Sequence, residues 1–398
     1  MGHKSTIVDR LITDALANQN YERVFARLCE MLVDSGLPLF RSHLAIRTLH
    51  PLLASVDMTW WRGRGLEVNP REHAPAPQDD WLRSPLFWMI ENRQREFRQR
   101  LKEPSDFQQF PVLQEFRDAG ATDYLAVLTP FGDPETAFER QDGILTSWVS
   151  DAPDGFSDSD VAFLRDILPY VGLVAKLSKH EHTAQNVASA YLGEDVGRRV
   201  LEGQIRLGDV DRIPAVVWYT DLRGSTALAQ RLPVADFLRA VNAYFDCTAG
   251  AVLEHGGEVL RFIGDAVLAV FPIGPEVSAA SAAERAMAAA HGARERMNEL
   301  NLQRAHQAQE PLAFGLGLHI GEVLYGNIGV PTRLEFSVIG SAANEVSRLE
   351  SLTKEVRETV LVSAEFVRVL PGNWRALGKF EANGVAGGLE VFAPAEIG

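Results

Sequence analysis

Hydrophobic positions change their spacing several times along the chain, and each change marks an element. Val24, Leu28 and Leu32 recur every fourth residue, so residues 21–32 read as an amphipathic helix. Leu44, Ile46 and Thr48 alternate with polar neighbours, which predicts a half-buried strand over 43–50 and a second strand over 55–61 after a short connection. Gly, Pro and Asp crowd residues 63–80, which read as a loop. Residues 84–102 read as helix, and 121–130 and 143–150 as strands with turn residues between them. Ser157-Asp158-Ser159-Asp160 then offers a helix start, with Val161, Leu164, Ile167, Leu168, Val171 and Val174 as its apolar stripe. Few breakers interrupt the helical pattern through 185–205, which suits a rod, a parallel dimer stalk or a merely packed helix.

Beyond residue 214 the pattern sharpens. Ala215-Val216-Val217-Trp218-Tyr219-Thr220 is a buried-strand run ending in Asp221, and Leu222-Arg223-Gly224-Ser225-Thr226 leads into a helix from about Ala227. A carboxylate beside free helix N–H groups suits a hard cation and phosphate oxygens, although an Asp at this place also caps helices without further function. Residues 258–263 and 266–271 are strand-forming runs joined by Gly264-Asp265, a hairpin with an acid at its tip. Paired with Asp221, Asp265 supplies the two carboxylates that a two-metal phosphoryl-transfer site uses to hold cations ~3.5–4 Å apart.

Composition narrows the field. The 398 residues are 46% hydrophobic and 23% charged, a globular balance long enough for two or three domains. Asp and Glu number 53 against 39 Lys and Arg, a formal charge of −14, which disfavours nucleic-acid partners. Cys29 and Cys247 cannot build a disulfide framework and read as buried free thiols in a reducing, cytoplasmic setting. No apolar run approaches the ~20 residues of a membrane span, and no signal-peptide core follows the opening residues. Met1-Gly2-His3-Lys4-Ser5-Thr6 has the form of a myristoylation pattern, meaningful only in a eukaryotic cell. His180 and His182 flank Glu181 without the spacing of a zinc helix and read as a solvated face, while Trp60-Trp61 read as core packing rather than a ligand pocket.

Three further stretches complete a pattern. They are His319-Ile320-Gly321-Glu322-Val323-Leu324-Tyr325-Gly326, Arg333-Leu334-Glu335-Phe336-Ser337-Val338-Ile339-Gly340, and Asn344-Glu345-Val346-Ser347-Arg348-Leu349-Glu350. With the strand–Asp–helix and the Gly-Asp hairpin, they resemble the class III nucleotidyl cyclase catalytic domain over about residues 212–393. Gly315-Leu316-Gly317 lacks the third glycine of a dinucleotide fingerprint and is set aside. His319 and Gly326 read as a strand residue and a turn. The N-terminal element order, over roughly residues 1–178, resembles a GAF-type sensory domain.

The resemblance implies an α+β, ferredoxin-like or palm-type catalytic domain over 212–398, preceded by a GAF-like α+β domain over 1–178 and a helical linker over 179–211. It implies a head-to-tail homodimer that converts ATP to 3′,5′-cyclic AMP and pyrophosphate, under control of an unidentified small-molecule or protein signal. Two Mg²⁺ or Mn²⁺ per site would sit on Asp221, Leu222 and Asp265. Asn344 would orient the ribose and Arg348 the reacting α-phosphate. Arg261 and Ser337 would read the base, and Gly224, Ser225, Thr226 and Arg333 would meet the phosphates. Asn344 and Arg348 are i, i+4 on one helix and share a face. Three positions depart from the usual pattern: Arg261 replaces a lysine, Ser337 an acid or threonine, and Asn383-Gly384 a Lys-Gly step, with Lys379 or Arg333 as replacement cations. A hydroxyl and an arginine fork commit less firmly to adenine, so looser ATP/GTP selectivity, or a weak or inactive nucleotide-binding module, are the alternatives.

Overall fold

The computed structural model describes residues 2–17, 19–74, 76, 78–102, 108–133, 136, 138–139, 142–208, 210–381 and 388–395. The chain divides into two units, Met1–Ala190 and Tyr191–Gly398. Asn383-Gly384 lies outside the described residues, as do Met1 and the side chains of residues 2–4 in the proposed acylation pattern.

The first unit runs α1 (Gly2–Leu16), α2 (Tyr21–Asp34), β1 (Leu39–Arg47), β2 (Leu53–Trp61), β3 (Gly65–Glu72), α3 (Asp79–Leu82), α4 (Pro85–Glu91), β4 (Glu96–Arg100), α5 (Pro111–Asp118), β5 (Asp123–Pro130), β6 (Gly143–Ser150) and α6 (Asp158–Leu192). Its strands form one antiparallel sheet in the order β3-β2-β1-β6-β5-β4. The stripe of α6 and the apolar face of α2 pack with Ile7 and Leu11 of α1 on one face of the sheet. Leu86, Met89, Leu113 and Phe116 of α4 and α5 cover the other, against Tyr124 and Ala126. Helix α6 begins as its sequence suggests, since the Asp160 carboxylate accepts from the Ser157 backbone N–H at 2.8 Å.

Two expectations fail here. Residues 63–80 contain β3, and 84–102 hold a short helix followed by strand β4. Strand β4 (Glu-Phe-Arg-Gln-Arg) consists largely of good helix formers, but edge pairing with β5 overrides that preference. Arg98 donates to the Asp123 carboxylate at 2.9 Å and to the Phe156 carbonyl at 2.6 Å, which fixes the strand from its side chains. The helical run over 185–205 is also interrupted. Gly193 adopts φ +87 between α6 and α7 (Glu194–Leu201), and Val196 of α7 is buried against the second unit's own sheet. Trp60 is core, His180 and His182 are exposed, and both cysteines are buried and free.

The second unit continues with β7 (Val210–Leu222), α8 (Ser225–Arg231), α9 (Val234–Glu254), β8 (Glu258–Ile263), β9 (Ala266–Pro272), α10 (Ala279–His306), β10 (Phe314–Val330), β11 (Arg333–Ile339), α11 (Ser341–Val356), β12 (Val360–Ser363), α12 (Ala364–Val369), β13 (Trp374–Phe380) and β14 (Leu389–Pro394). Its mixed sheet is ordered β13-β14-β12-β10-β7-β9-β8, with β11 folded back on β10. Val216 and Trp218 of β7 face the α9–α10 layer, while Ala215 and Val217 face the side where α7 and α11 pack. Because side chains alternate along a strand, Asp221 falls on the α11 side. Gly326 is not in a turn: β10 runs unbroken through it, opposite Ser337, and the reversal comes at Val330–Arg333.

Candidate functional site

Strand β7 is the spine of the site. Asp221 near its end pairs in register with Ala266 of β9, the residue after Asp265, and with Gly315 of β10. A two-residue turn joins β8 to β9, with Gly264 at φ +64, a conformation natural to glycine. This register sets Asp221 beside the turn that carries Asp265, close enough for the Asp265 charge to act on it. The two acids, 44 residues apart in sequence, thus lie at neighbouring places in the sheet.

Burial raises the Asp221 pKa, Lys354 opposes the shift, and the Asp265 charge adds to it. One oxygen of Asp265, Oδ2, is buried without a hydrogen-bond partner. An adjacent acid pair with an orphaned buried oxygen is an incomplete arrangement that a hard divalent cation would complete. Among the described residues no cluster of three or more His, Cys, Asp or Glu forms a full metal cage, so phosphate oxygens and water would have to fill the remaining positions. Leu222 points its side chain into the core, which leaves only its backbone oxygen to serve as a ligand.

Helix α11 supplies two residues that the sequence reading missed. Lys354 donates from Nζ to Asp221 Oδ2 at 3.0 Å and lies 4.0 Å from Glu350 Oε1. Glu350 is buried, its Oε1 accepts no hydrogen bond, and burial pushes its pKa up to about 7 against the pull of Lys354. Burial lowers the Lys354 pKa, but Asp221 and Glu350 more than offset that and raise it. A cation of the chain's own thus stands where the acid pair calls for positive charge. The signal for this was present in Gly315 and Gly317. A Cβ at Gly315 would lie 2.6 Å from Glu350 Oε1, and one at Gly317 would lie 2.5 Å from the Val346 carbonyl oxygen. These glycines let α11 lie directly on β10.

Asn344 and Arg348 are both exposed on α11, and their side chains form no hydrogen bond or ion pair with a described residue. At 1.5 Å and 100° per residue they stand ~15 and ~9 Å along the axis from Lys354, turned by about 80° and 120°. The chain does not bring them to its own acid pair. Arg261 on β8 forms an ion pair with Glu335 of β11 at 2.8 Å, a partner the sequence reading did not name, and Ser337 lies two residues farther along the same face of β11. Gly224 caps α8 in the left-handed region at φ 70, and Ser225 opens that seven-residue helix two residues before the expected Ala227. Arg333 sits at the β10–β11 hairpin tip, ~13 Å along the strand from Ser337. Lys379 is exposed on the edge strand β13. His319 is buried, with Nδ1 2.9 Å from Ser363 Oγ, and burial lowers its pKa, as expected for a structural strand residue.

Residues 211–391 match the family model for the adenylate and guanylate cyclase catalytic domain. An adenylate cyclase of Anabaena cylindrica is 30% identical over 170 residues, which is 42% of this chain and 32% of that protein. An uncharacterized protein of Mycobacterium tuberculosis is 32% identical over 196 residues, 49% of this chain and 34% of that one. The match thus spans about a third of the length of these curated relatives. Among solved structures, the guanylyl cyclase Cya2 is 28% identical, covering 47% of this chain and 94% of that chain with a TM-score of 0.41. The adenylyl cyclase CyaB from P. aeruginosa is 27% identical, covering 46% and 94% with a TM-score of 0.42. No helix among the described residues is long and apolar enough to cross a membrane.

Proposed function

We propose, from the premise that residues 211–391 are a catalytic domain of the adenylate and guanylate cyclase type, that this chain converts ATP to 3′,5′-cyclic AMP and pyrophosphate at sites shared by two copies of itself. The observation that carries the proposal is the meeting of Asp221 and Asp265, with one Asp265 oxygen buried and unpartnered. In the reaction the ribose 3′-oxygen attacks the α-phosphorus, the bond to the β-phosphate oxygen breaks, and the hydroxyl proton passes to solvent. Two Mg²⁺ or Mn²⁺ ions bound there would supply activation of the 3′-hydroxyl and neutralisation of phosphate charge. The acid pair holds the cations at the end of a rigid strand, and Lys354 opposes the rise in the Asp221 pKa that burial causes. Asn344 and Arg348 of the second copy orient the ribose and stabilise the α-phosphate. Their exposure and their distance from the acid pair of their own chain support action in trans. The guanidinium suits its task because its planar donors match phosphate oxygens and it stays charged.

Arg261 and Ser337 face the base in this reading, and the backbone of Gly224, Ser225 and Thr226 faces the phosphates. Glu335 beside Arg261 favours a second reading, in which the enzyme also accepts GTP, because a carboxylate accepts from the N1 and N2 donors of guanine. Residues 1–178 act as the GAF-like regulatory part, and the cytoplasm is the natural setting for an enzyme that consumes ATP. The test is purified full-length protein given Mn²⁺ or Mg²⁺ with ATP or GTP. Cyclic AMP and pyrophosphate should appear and should vanish in Asp265→Asn. Nucleotide binding without cyclic product under either metal would reduce the chain to a binding module, and a larger cyclic GMP yield would reverse the base assignment.

A further inference from the structure

The six-stranded sheet of the first unit carries a cavity of about 780 Å³ on the face covered by α4 and α5. That lies within the ~300–1,000 Å³ typical of small-molecule sites. Leu86, Ile90, Val112, Leu128 and Leu145 give it an apolar wall. Against this wall sits Arg41 of β1, whose Nε is buried without a partner. Its guanidinium lies 4.8 Å from the Phe116 ring centroid and 5.2 Å from that of Trp61, and its contact with Ser147 Oγ is a long 3.5 Å. It forms no ion pair with any described residue, and burial drives its pKa down to about 10. The other basic groups at the cavity do not offer the same opening. Arg71 is tied to Asp57 at 2.9 Å and to Gln78 at 3.2 Å, His73 Nε2 lies 3.0 Å from the His50 carbonyl oxygen, Arg47 is exposed and has a partner of its own, and burial pushes His43 down to about 3, so it carries no charge. A lone guanidinium stacked by aromatic rings leaves its edge free, which matches the two oxygens of a carboxylate.

We propose that this cavity binds a small organic acid, a monoanionic carboxylate on a flat apolar body, with Arg41 as its anion-binding group. The acids at the rim, Asp57, Glu72 and Asp80, disfavour a dianion such as a phosphate monoester. The inference names what the regulatory part takes up. Binding that left cyclisation unchanged would remove the regulatory role and leave this site standing.

The experiment uses the full chain and calorimetric titration with 1-naphthoate, its neutral isostere 1-naphthamide, and inorganic phosphate. Naphthoate should saturate one site per chain and bind at least about tenfold tighter than the amide, the scale of a charge-assisted pair in a buried site. Arg41→Gln should erase that difference. Arg41→Lys, which keeps the charge and loses the fork, should bind naphthoate more weakly than the parent while still preferring it to the amide. Equal affinity for acid and amide, no saturable naphthoate binding up to millimolar concentration, competition by inorganic phosphate, or undiminished binding in folded Arg41→Gln each overturns the proposal.

Discussion

If the acid pair of one chain works with Asn344 and Arg348 of another, two inactive variants should repair each other. Take Asp265→Asn, which removes one carboxylate while preserving shape, and Arg348→Ala, which removes an exposed side chain about 9 Å along α11 from the residue that touches Asp221. Alone, Arg348→Ala should lose roughly 10²–10³ in turnover, the usual penalty for removing a donor to developing charge. Co-expressed in equal amounts, half of the pairs are mixed under random association, and each mixed pair has one site with both groups intact and one with neither. About a quarter of the parent activity per chain should therefore return. The assay is cyclic AMP release as a function of the ratio of the two variants, with each variant alone as baseline. Activity no greater than the sum of the baselines at every ratio would refute action in trans.

Other outcomes follow from the same geometry. Lys354→Gln removes a half-exposed ion pair worth ~0.5–1 kcal/mol, so half-maximal activity should need about two- to fivefold less Mn²⁺; a higher requirement would show that the lysine aids loading. Gly317→Ala forces a Cβ to within 2.5 Å of the Val346 carbonyl oxygen and 2.9 Å of the Glu350 nitrogen, and should destabilise the second unit by about 1–3 kcal/mol in denaturant titration. Stability equal to the parent's would contradict the tight seating of α11. Glu350, with its folded pKa raised from 4.5 to about 7, contributes stability that is complete below about pH 4.5 and is lost as pH rises through 7. Glu350→Gln should thus be more stable than the parent by ~1–3 kcal/mol at pH 8 and equal to it near pH 4, and a gain that did not vary with pH would remove the buried acid as its cause.

What the sequence disclosed depended on how local the determining interactions are. The β8–β9 hairpin, strand β6 and the stripe of α6 are written in alternation, turn residues and capping, and they stand where expected. The register of Asp221 against Ala266 follows from that hairpin and from the buried run of β7. Strand β3 was missed because it is a mostly exposed edge strand containing Pro70, and its short alternation of Leu66 and Val68 is set among the Gly and Pro residues that read as loop. Strand β4 was misread because its Arg side chains find their partners at Asp123 and Phe156, far along the chain. Lys354 and Glu350 escaped notice for a similar reason: an i, i+4 pair on a helix is common, and only the approach of α11 to β10, permitted by Gly315 and Gly317, turns it toward Asp221.

The contrast between the two ends of the site shapes how such a protein can change over evolution. Asp221 and Asp265 are anchored in paired strands over a dense core, whereas Arg261 and Glu335 meet as half-exposed side chains on outer strands, where exchanges usually shift stability by no more than about 0.5 kcal/mol. If the proposed function holds, exchanges at the base-facing end leave the scaffold nearly untouched, whereas exchanges at the acid pair reach into the fold's core.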